Sequence, residues 1–367
     1  MKQMCTKCVM DNVGDPCISF DNEGVSNYWR EAMKKKENEY FPNALGEKEI
    51  SKMVETIKNN SRNSEYDCIM GLSGGLDSSY LAYLASKWGL RILAVHCNDG
   101  FDEEIGISNV KNLVKYMGVD LVNLNVDLEQ FYNVIASYLR AGVPNCAVPQ
   151  DNLIVAGIWG LAKEKNIKYF LSGINYALEC ILQRGNTFTN KDTKNLYDIH
   201  RRFGNRADIS NLQFISPFKQ DVYHRFLKIQ VYAPLNYINY NMKNAIKELN
   251  DACGFNYYGG KHYENAFTKF VQQIWLVDKF GVDKRKSHYS SMIASDQLTR
   301  EEALKMLEKP VISIEEKEKL ISDLSSRIGV SDDEIYNMLS IPGVQHNQYK
   351  TSRYLLVKNS VKKALGR

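Results

Sequence analysis

One short stretch of the sequence combines glycines, hydroxyls and a carboxylate in a spacing that suits the binding of phosphate groups. Ser73-Gly74-Gly75-Leu76-Asp77-Ser78 follows a largely apolar run, Cys68–Leu72, which predicts a buried parallel strand. Two adjacent glycines let backbone N–H groups point into one concavity without a Cβ in the way. We expect Asp77, Ser78 and Ser79 to cap the helix that follows, so that strand, turn and helix N-terminus form an anion site.

The same stretch argues against one kind of phosphate chemistry. It lacks the Gly-x-x-x-x-Gly-Lys-Ser/Thr pattern of a P-loop, so a γ-phosphate cradle with its lysine is not indicated. An ordinary Gly-Gly turn is the alternative interpretation, but the full pattern Ser-Gly-Gly-x-Asp-Ser favours a binding loop.

A second polar cluster lies far along the chain, where Gly259-Gly260-Lys261-His262-Tyr263-Glu264 leads into an apolar helical pattern. Glycines beside a lysine, a histidine and a glutamate suit a loop that holds an anionic ligand. The pair Lys284-Arg285 follows that helix, and these cations could hold a carboxylate or a diphosphate. The alternative for the cluster is a capped helix start with surface charge.

The cysteines indicate either reduced thiols or a metal site. Eight cysteines without a signal peptide are typical of a cytosolic chain that has no disulfides. Cys5 and Cys8 form a Cys-x-x-Cys pair, which supplies two of the four ligands that zinc needs. A second pair is expected at Ser26 and Trp29, and neither is a thiolate. Two interpretations stay open: two reduced thiols in a turn, or a zinc site that recruits Cys17 or Cys253.

A parallel sheet is required to bring these residues together. Residues 66–235 alternate predicted strands and helices, as in an α/β protein. Polar turns, Asn98-Asp99 and Ser172-Gly173, follow two of the predicted strands, and ligands of such sheets bind at the carboxyl ends of strands. Residues 144–152 are predicted to be a loop. Residues 183–211 lack a clear period and are predicted to be a substrate loop, a mobile lid or a solvated face.

The sequence divides into three predicted segments. Residues 1–65 form a small lead with the cysteine pair, residues 66–235 form the α/β domain, and residues 236–367 form a mainly helical region for substrate or partners. Capping boxes predict successive helices in the last segment, at Thr299 with Glu302, Ser313 with Glu316, and Ser331 with Glu334.

Composition excludes some classes of protein. The chain has 367 residues and a net charge of +4, which is a weaker basic bias than a dedicated nucleic-acid binder carries. No apolar segment is long enough to span a bilayer, and no signal peptide opens the sequence. We therefore expect a cytoplasmic enzyme without a membrane partner, for which nucleic acid is not the expected ligand.

Taken together, these motifs resemble those of the N-acetyl sugar amidotransferases, a family within the PP-loop ATP pyrophosphatase superfamily. The Ser-Gly-Gly-x-Asp-Ser loop is the superfamily feature. The narrower features are the Cys-x-x-Cys-Val-Met-Asp lead, Tyr-Gly-Gly-Lys-His-Tyr-Glu, and Phe-Gly-x-Asp-Lys-Arg with Thr-Arg-Glu-Glu-Ala-Leu beyond it. The resemblance covers nearly the whole chain and implies a PP-loop parallel sheet with helices on both faces. The missing second cysteine pair departs from the family pattern.

The resemblance also implies a reaction. Family members turn an acetamido group of a sugar into an acetamidino group during the synthesis of surface polysaccharides, such as lipopolysaccharide O-antigen, or of flagellar sugars. ATP transfers AMP to the amide oxygen, and ammonia then displaces AMP. The implied nucleotide-site residues are Ser73, Gly74, Gly75, Asp77, Ser78, Asn98, Asp99, Ser172 and Gly173. Asp77 is also the implied ligand of Mg²⁺, Lys261, His262 and Glu264 would contact the substrate or intermediate, and Lys284 and Arg285 would bind the sugar.

The source of ammonia completes the prediction. The sequence does not begin Met-Cys and has no Gly-x-Cys-x-Gly motif, so we expect that this chain does not hydrolyse glutamine by itself. The resemblance implies a glutaminase subunit with a barrel-shaped companion as partners. Two rival functions stay open: a PP-loop enzyme that thiolates or otherwise modifies tRNA, and a non-catalytic scaffold that binds nucleotide. The sequence does not say whether the sugar is free or linked to a nucleotide.

Overall fold

A single parallel sheet forms the centre of the protein in the computed structural model, which describes residues 2–364. Its five strands occur in the order β3-β2-β1-β4-β5, and every neighbouring pair is parallel. This arrangement confirms the predicted α/β fold class. The strands are β1 (Cys68–Gly71), β2 (Ile92–Asn98), β3 (Asp120–Asn125), β4 (Tyr169–Leu171) and β5 (Gln230–Tyr232).

Burial explains which strands the sequence predicts well. The central strands β1 and β2 are almost continuously apolar and buried, as strands covered by helices on both faces must be. The edge strand β3 is partly exposed, but the apolar residues Leu121, Val122 and Leu124 still mark it as a strand. The other edge strand, β5, has three mostly exposed residues, so no apolar run predicts it.

Helices cover the sheet and make up most of the last third. They are α1 (Asn27–Glu39), α2 (Ala44–Asn60), α3 (Leu76–Lys87), α4 (Glu104–Met117), α5 (Leu128–Ala141), α6 (Val148–Glu164), α7 (Tyr176–Glu179), α8 (Thr193–Phe203), α9 (Pro217–Phe226), α10 (Met242–Cys253), α11 (Ala266–Phe270), α12 (Leu276–Phe280), α13 (Lys284–Ala294), α14 (Arg300–Leu307), α15 (Ile314–Ile328), α16 (Asp332–Ser340) and α17 (Arg353–Ala364). A π-helical turn, Val271–Trp275, joins α11 to α12, and short 3₁₀ turns lie at Pro234–Tyr237 and His346–Gln348. No helix in residues 2–364 is long and apolar enough to cross a membrane.

Helix starts in the C-terminal third follow the predicted capping residues. Thr299 and Ser313 form complete capping boxes with glutamates three residues later. Ser331 also caps its helix by accepting the N–H of Glu334, but the reciprocal bond from the glutamate is not formed. Gly329 ends α15 in the left-handed conformation at φ +69°.

Two predicted loops turn out to contain helices. Helix α6 begins at Val148 rather than after residue 152, because Pro149 is tolerated in the first turn of a helix. The polar segment 183–211 contains α8, which buries Leu196 and Ile199 against the main core beside α5. Because this apolar face holds α8 against the core, the prediction of a mobile lid does not apply to the whole of 183–211.

The N-terminal residues pack against the C-terminal helices α13 and α14. The backbone N–H of Val9 donates to Ser290 Oγ at 3.2 Å, and Lys286 Nζ lies 2.7 Å from Asp11 Oδ2. Arg300 donates to the carbonyl oxygens of Cys8 and Cys5, at 3.1 Å each. The predicted lead, 1–65, is therefore joined to distant parts of the chain. Residue 1 and residues 365–367, which the predicted outer segments include, lie outside the described residues.

Candidate functional site

The loop between β1 and α3 forms a tight cradle. Gly75 N–H donates to Ser73 Oγ at 3.2 Å, and the hydroxyls of Ser73 and Ser78 are 3.2 Å apart. Gly74 has φ +81°, and a Cβ there would lie 2.3 Å from the carbonyl oxygen of Gly106. Only glycine satisfies both the left-handed backbone and the close approach of α4. The loop can therefore present its N–H groups and hydroxyls to an anion.

Asp77 lies in the first turn of α3, not in the loop and not at the cap. Gly75 occupies the N-cap position and has no side chain to cap the helix, so the predicted capping by Asp77, Ser78 and Ser79 is wrong. The carboxylate instead accepts a hydrogen bond from Tyr240 Oη at 2.5 Å and pairs with Lys261 Nζ at 2.9 Å. Lys261, a residue of the C-terminal third, thus reaches the start of α3 beside the loop of residues 73–75, which we call the phosphate loop.

Lys261 bridges two carboxylates. Its ammonium group lies 2.9 Å from Asp77 Oδ2 and 2.9 Å from Glu179 Oε1. Burial opposes charge on both Lys261 and Asp77, but their mutual attraction outweighs it and raises the pKa of Lys261 while it lowers the pKa of Asp77. Both groups stay charged around neutral pH. Sequence reasoning missed Glu179; the available signal was a carboxylate in the short helix directly after the polar turn Ser172-Gly173.

Glu264 lies on the opposite wall of the same loop. Its Oε1 accepts from Ser73 Oγ at 3.3 Å, and a Cβ on Gly75 would come within 2.3 Å of that oxygen. Its Oε2 is buried without a hydrogen-bond partner in the described part of the chain, and the side chain is only 5% exposed. A buried carboxylate oxygen without a donor is costly, which indicates that a ligand completes this position.

His262 stands beside that carboxylate in a strained backbone conformation. Its φ is +64°, a value that non-glycine residues rarely adopt and that is often found at functional sites. Its Nδ1 is 3.8 Å from Glu264 Oε1, and its Nε2 is 3.9 Å from Glu179 Oε1. Burial lowers the pKa of His262, but the interaction with Glu264 outweighs it, so the net pKa is raised.

Hydrogen bonds hold the second polar cluster, residues 259–264, and its flanking residues against the phosphate loop. Glu103 N–H donates to the carbonyl of Glu264 at 2.9 Å, and Ala266 N–H donates to the carbonyl of Phe101 at 2.7 Å, which makes a short antiparallel bridge. The buried Asn109 of α4 donates to the carbonyl oxygens of both Gly74 and Asn256. Because these bonds join the two regions directly, the position of Glu264 is set by the sheet.

Three adjoining cavities meet at these residues. A cavity of about 220 Å³ lies over the phosphate loop, and one of about 310 Å³ lies at the carboxyl ends of β1, β2 and β4. His262 and Glu264 line both. A third cavity, of about 700 Å³, extends under α13 and α14, and Lys261 lines both it and the first. The 310 Å³ cavity has apolar walls that suit a flat purine ring, formed by Val95, Ile154, Ile158 and Phe170.

The structure brings most of the predicted site residues to these cavities. Ser172 and Gly173 line the two smaller cavities, and Asp99 lines the second. Asn98 lies outside all three, and its side chain points to Asn125 on the edge strand β3. The remaining predicted residues that line a cavity are Ser73, Gly75, Asp77, Ser78, Lys261, His262, Glu264, Lys284 and Arg285.

Lys284 and Arg285, the predicted sugar-binding pair, differ in whether their charges are already paired. Arg285 is held by Asp283, with Nη2 2.8 Å from Oδ2, and it also donates to the carbonyl oxygens of Lys309 and Pro310. Its charge is therefore already balanced. Lys284 lines the same cavity and makes no hydrogen bond or ion pair within residues 2–364, and burial lowers its pKa. Lys284 is the member of the pair that can bind an anion.

The carboxylates around the loop fit a magnesium ion. Asp77 and Glu179 present oxygens to one central cation, the ammonium group of Lys261. Mg²⁺ prefers oxygen ligands and usually takes one or two carboxylates together with phosphate oxygens and water. Asp77 and Glu179 would hold the ion, and bound Mg²⁺ would neutralise charge on the phosphates.

The cysteine pair does not gain further ligands. Cys5 and Cys8 are fully buried, and the Ser26 N–H donates to Cys5 Sγ at 3.3 Å. A hydrogen bond from Cys8 lowers the pKa of the Cys5 thiol to about 5. The described residues contain no group of three or more His, Cys, Asp or Glu side chains that could hold a metal. Neither Cys17 nor Cys253 joins the pair, so a zinc site completed by them does not form.

Asp99 provides a test of the electrostatics at the 310 Å³ cavity. Burial, together with repulsion from Asp102, raises its pKa to about 6 from an ordinary value of 3.8. Protonation therefore stabilises the folded state fully below pH 3.8, and that stabilisation is lost as the pH rises through 6. At about 1.4 kcal/mol for each pKa unit, it is on the order of 3 kcal/mol.

We predict that Asp99→Asn flattens the pH dependence of the free energy of unfolding between these two pH values. Urea unfolding of the parent and the variant at several pH values in this range measures the difference. The exposed Asp251→Asn removes a carboxylate of the same kind and serves as the control. An unchanged pH profile in Asp99→Asn would show that another group is responsible.

Two known families match separate parts of the chain. The family described as "LPS biosynthesis protein WbpG-like, C-terminal domain" matches residues 264–363, and the family described as "Queuosine biosynthesis protein QueC" matches residues 67–177. The second match contains the phosphate loop, and the first begins at Glu264.

Curated relatives share part of the chain. An uncharacterized protein of Methanocaldococcus jannaschii is 26% identical over 171 residues, which are 46% of this chain and 58% of the relative. A tRNA-specific 2-thiouridylase, MnmA 2, of Fusobacterium nucleatum is 25% identical over 114 residues, which are 29% of this chain and 32% of the relative. The chain thus spans less than two thirds of the length of either.

Solved structures give weaker likenesses. An NMN synthetase from Francisella tularensis is 16% identical with a TM-score of 0.29, over 56% of this chain and 92% of that one. An NH₃-dependent NAD synthetase from Campylobacter jejuni is 13% identical with a TM-score of 0.32, over 82% of this chain and 98% of that one. These TM-scores are too low to establish a common fold.

Proposed function

We propose, for this member of the N-acetyl sugar amidotransferase family of PP-loop proteins, the ATP-dependent conversion of an acetamido group into an acetamidino group. The acceptor is an N-acetylated sugar of lipopolysaccharide or a related surface polysaccharide, in keeping with the WbpG-like C-terminal domain. The products are the amidine, AMP and pyrophosphate.

One observation carries this proposal: a large acceptor cavity opens directly onto the phosphate loop. The cavity of about 700 Å³ and the cavity over Ser73–Ser78 share Lys261, Tyr257 and His288 as walls. An enzyme that only hydrolyses ATP needs no second cavity of this size. A transferase needs its acceptor within reach of the α-phosphate, which two adjoining cavities allow.

The reaction proceeds in two half-reactions. In the first, the amide oxygen of the acceptor attacks the α-phosphorus, and the bond from that phosphorus to the leaving pyrophosphate breaks. In the second, ammonia adds to the imidate carbon, and the C–O bond to AMP breaks to leave a protonated amidine. Ammonium must give up one proton before it can attack.

The residues around the loop divide these tasks. The N–H groups and hydroxyls of Ser73, Gly75 and Ser78 hold the pyrophosphate as it leaves. Lys261 moves from its carboxylates toward the negative charge that develops on the phosphates. Glu264, which lines both smaller cavities and whose Oε2 has no hydrogen-bond partner in the described residues, takes the proton from ammonium.

The proposed function is tested by product analysis. Purified protein is supplied with ATP, Mg²⁺, ammonium chloride and a panel of N-acetyl sugars, both free and nucleotide-linked, and nucleotides are separated by chromatography. We expect AMP and pyrophosphate in equal amounts, dependent on the sugar. Unmodified tRNA is a second acceptor in the panel, because of the similarity to a tRNA 2-thiouridylase. Formation of ADP and phosphate, or AMP formation with tRNA alone, would overturn the proposal.

A further prediction concerns the nitrogen donor. We expect the purified chain to form amidine with ammonium chloride and to use glutamine at no more than about 1% of that rate. None of the eight cysteines lies in a nucleophile motif, and those at the sheet are buried or have a raised pKa. A thiol with a raised pKa is a poor nucleophile at neutral pH. Amidine is measured by mass spectrometry with each nitrogen source.

We propose that ammonia reaches this chain in the cell from a glutaminase subunit and its barrel-shaped companion. Addition of that pair should restore glutamine use to the level seen with ammonium. The same additions to the Asp77→Asn variant provide the control, since no amidine should form there. Efficient use of glutamine by the chain alone would contradict the need for a partner.

A further inference from the structure

The phosphate-loop cavity and the large cavity under α13 and α14 meet at a junction with few walls. Met242, Tyr257, Lys261 and His288 line both cavities. An acceptor in the large cavity must bring its reacting amide to this junction to come within reach of the α-phosphate. These four side chains therefore face the amide itself and decide how it is oriented.

His288 presents a hydrogen-bond acceptor at the junction. The residue lies in α13, and its Nδ1 is 3.4 Å from the carbonyl oxygen of Leu178 in α7. A carbonyl oxygen can only accept, so Nδ1 carries the proton. Burial, reinforced by the charge of Lys261, lowers the pKa of the imidazole to about 4, so the ring is neutral at physiological pH. Its other nitrogen, Nε2, is therefore an acceptor, and it makes no hydrogen bond within residues 2–364.

The other walls of the junction suit the remaining parts of an acetamido group. Such a group has an apolar methyl, one N–H donor and one carbonyl oxygen. The thioether of Met242 and the ring of Tyr257 offer apolar surface for the methyl group. In a trans amide the carbonyl oxygen points away from the N–H. An acetamido group that donates to His288 therefore keeps its oxygen free to attack the α-phosphorus.

We propose that His288 Nε2 accepts the N–H of the acetamido group, and so selects and orients the acceptor for attack at the α-phosphorus. This inference rests on the proposed function and adds to it a residue that contacts the reacting group. As the amide oxygen bonds to phosphorus and the bond from phosphorus to pyrophosphate breaks, positive charge develops on the amide nitrogen, which keeps its proton. The hydrogen bond to His288 then strengthens, so it stabilises the transition state more than the bound acceptor.

Substitution of His288 separates this role from a structural one. The acceptor in the assay is the acetamido sugar of the panel that supports the fastest AMP formation. We expect His288→Ala to lower kcat by about 30–100-fold and to change the KM for the acceptor by no more than about threefold. His288→Gln carries an acceptor oxygen and should recover at least about tenfold of that loss. The exposed His224 lies in α9, outside all three cavities, and His224→Ala should match the parent.

An altered acceptor gives a second test. The N-methylacetamido analogue of the same sugar keeps the carbonyl oxygen but has no N–H to donate. We expect the parent enzyme to prefer the N–H acceptor by at least about a hundredfold in kcat/KM, and His288→Ala, which also leaves room for the added methyl group, to prefer it by less than about tenfold. Calorimetric titration with Mg²⁺ and the non-hydrolysable α,β-methylene analogue of ATP should give the same affinity for the parent and for His288→Ala.

Several results would overturn the inference: full activity in His288→Ala, an equal loss in His288→Ala and His288→Gln, or an unchanged preference for the N–H acceptor. Weakened binding of the ATP analogue in His288→Ala would also overturn it, because the residue would then act by supporting the phosphate loop. Failure of the proposed function appears separately and in the parent enzyme, as the absence of AMP with every acetamido sugar although the ATP analogue binds.

Discussion

Replacement of Asp77 by asparagine is expected to lower the rate of AMP formation by about 10³-fold or more. The carboxylate is one of two that would hold Mg²⁺ at the phosphates, and it also positions Lys261 at 2.9 Å. An amide of the same shape keeps the hydrogen bond with Tyr240 but loses the negative charge. Loss of a preorganised charged group at a phosphoryl-transfer site typically costs two to three orders of magnitude or more.

The same variant should remain folded, although not at full stability. Asp77 is 17% exposed at its side chain, and Lys261 keeps its second partner, Glu179, after the change. We expect a loss of about 1–2 kcal/mol in the free energy of unfolding, measured by urea unfolding. Glu248→Gln is a matched control, because Glu248 also accepts a hydrogen bond from a tyrosine hydroxyl, that of Tyr80, outside the cavities. Turnover within threefold of the parent enzyme in Asp77→Asn would refute the assigned role.

Glu264→Gln should separate the two half-reactions. Glutamine can still accept the hydrogen bond from Ser73, so the phosphate loop keeps its shape and ATP–pyrophosphate exchange in the presence of the acceptor sugar should stay within about threefold of the parent rate. Amidine formation should fall by about 10²–10⁴-fold, because an amide cannot accept the proton from ammonium. Exchange of radiolabelled pyrophosphate and mass spectrometry of the amidine measure the two steps separately.

Measuring amidine formation at several pH values sharpens this experiment. If Glu264 removes a proton from ammonium, raising the pH supplies more free ammonia and should partly restore the variant. The exposed Glu104→Gln in the first turn of α4 serves as the control, since it removes a nearby carboxylate that lines none of the three cavities. An equal loss of exchange and of amidine formation would mean that Glu264 acts on ATP instead.

The sequence predicts the sheet because its inner strands are buried on both faces. The largely apolar runs at Cys68–Gly71 and Ile92–Asn98 leave little ambiguity, and the glycine turn between β1 and α3 has a pattern of its own. The edge strand Gln230–Tyr232 could not be predicted, since a short exposed strand needs only a neighbour's backbone and no apolar pattern. The same holds for α8, whose apolar positions are few within a polar segment.

The sequence likewise predicts only part of the candidate site. Motif spacing identifies Ser73, Asp77 and Lys261, but not the ion pair that joins two of them across 184 residues of sequence. Glu179 was missed because a lone glutamate after a turn has many ordinary explanations. Arg285 is predicted to bind the sugar, but its guanidinium group is paired with Asp283, two residues earlier in the sequence. The sequence does not show whether two such neighbours form an ion pair, because this depends on how their side chains are oriented. The pattern of a single sequence does not show which side chains form ion pairs in the folded protein.

The first residues of the chain cannot reach their final place until the ribosome has made helices α13 and α14. The carbonyl oxygen of Cys5 accepts from Arg300, a partner 295 residues later. At roughly 5–20 residues per second, translation of that interval takes about 15–60 s. During this time the thiols of Cys5 and Cys8, which are buried in the finished protein, are exposed to solvent and to oxidants. The yield of folded protein should therefore depend on how reducing the cell is while the chain is being made, and much less on its redox state afterwards.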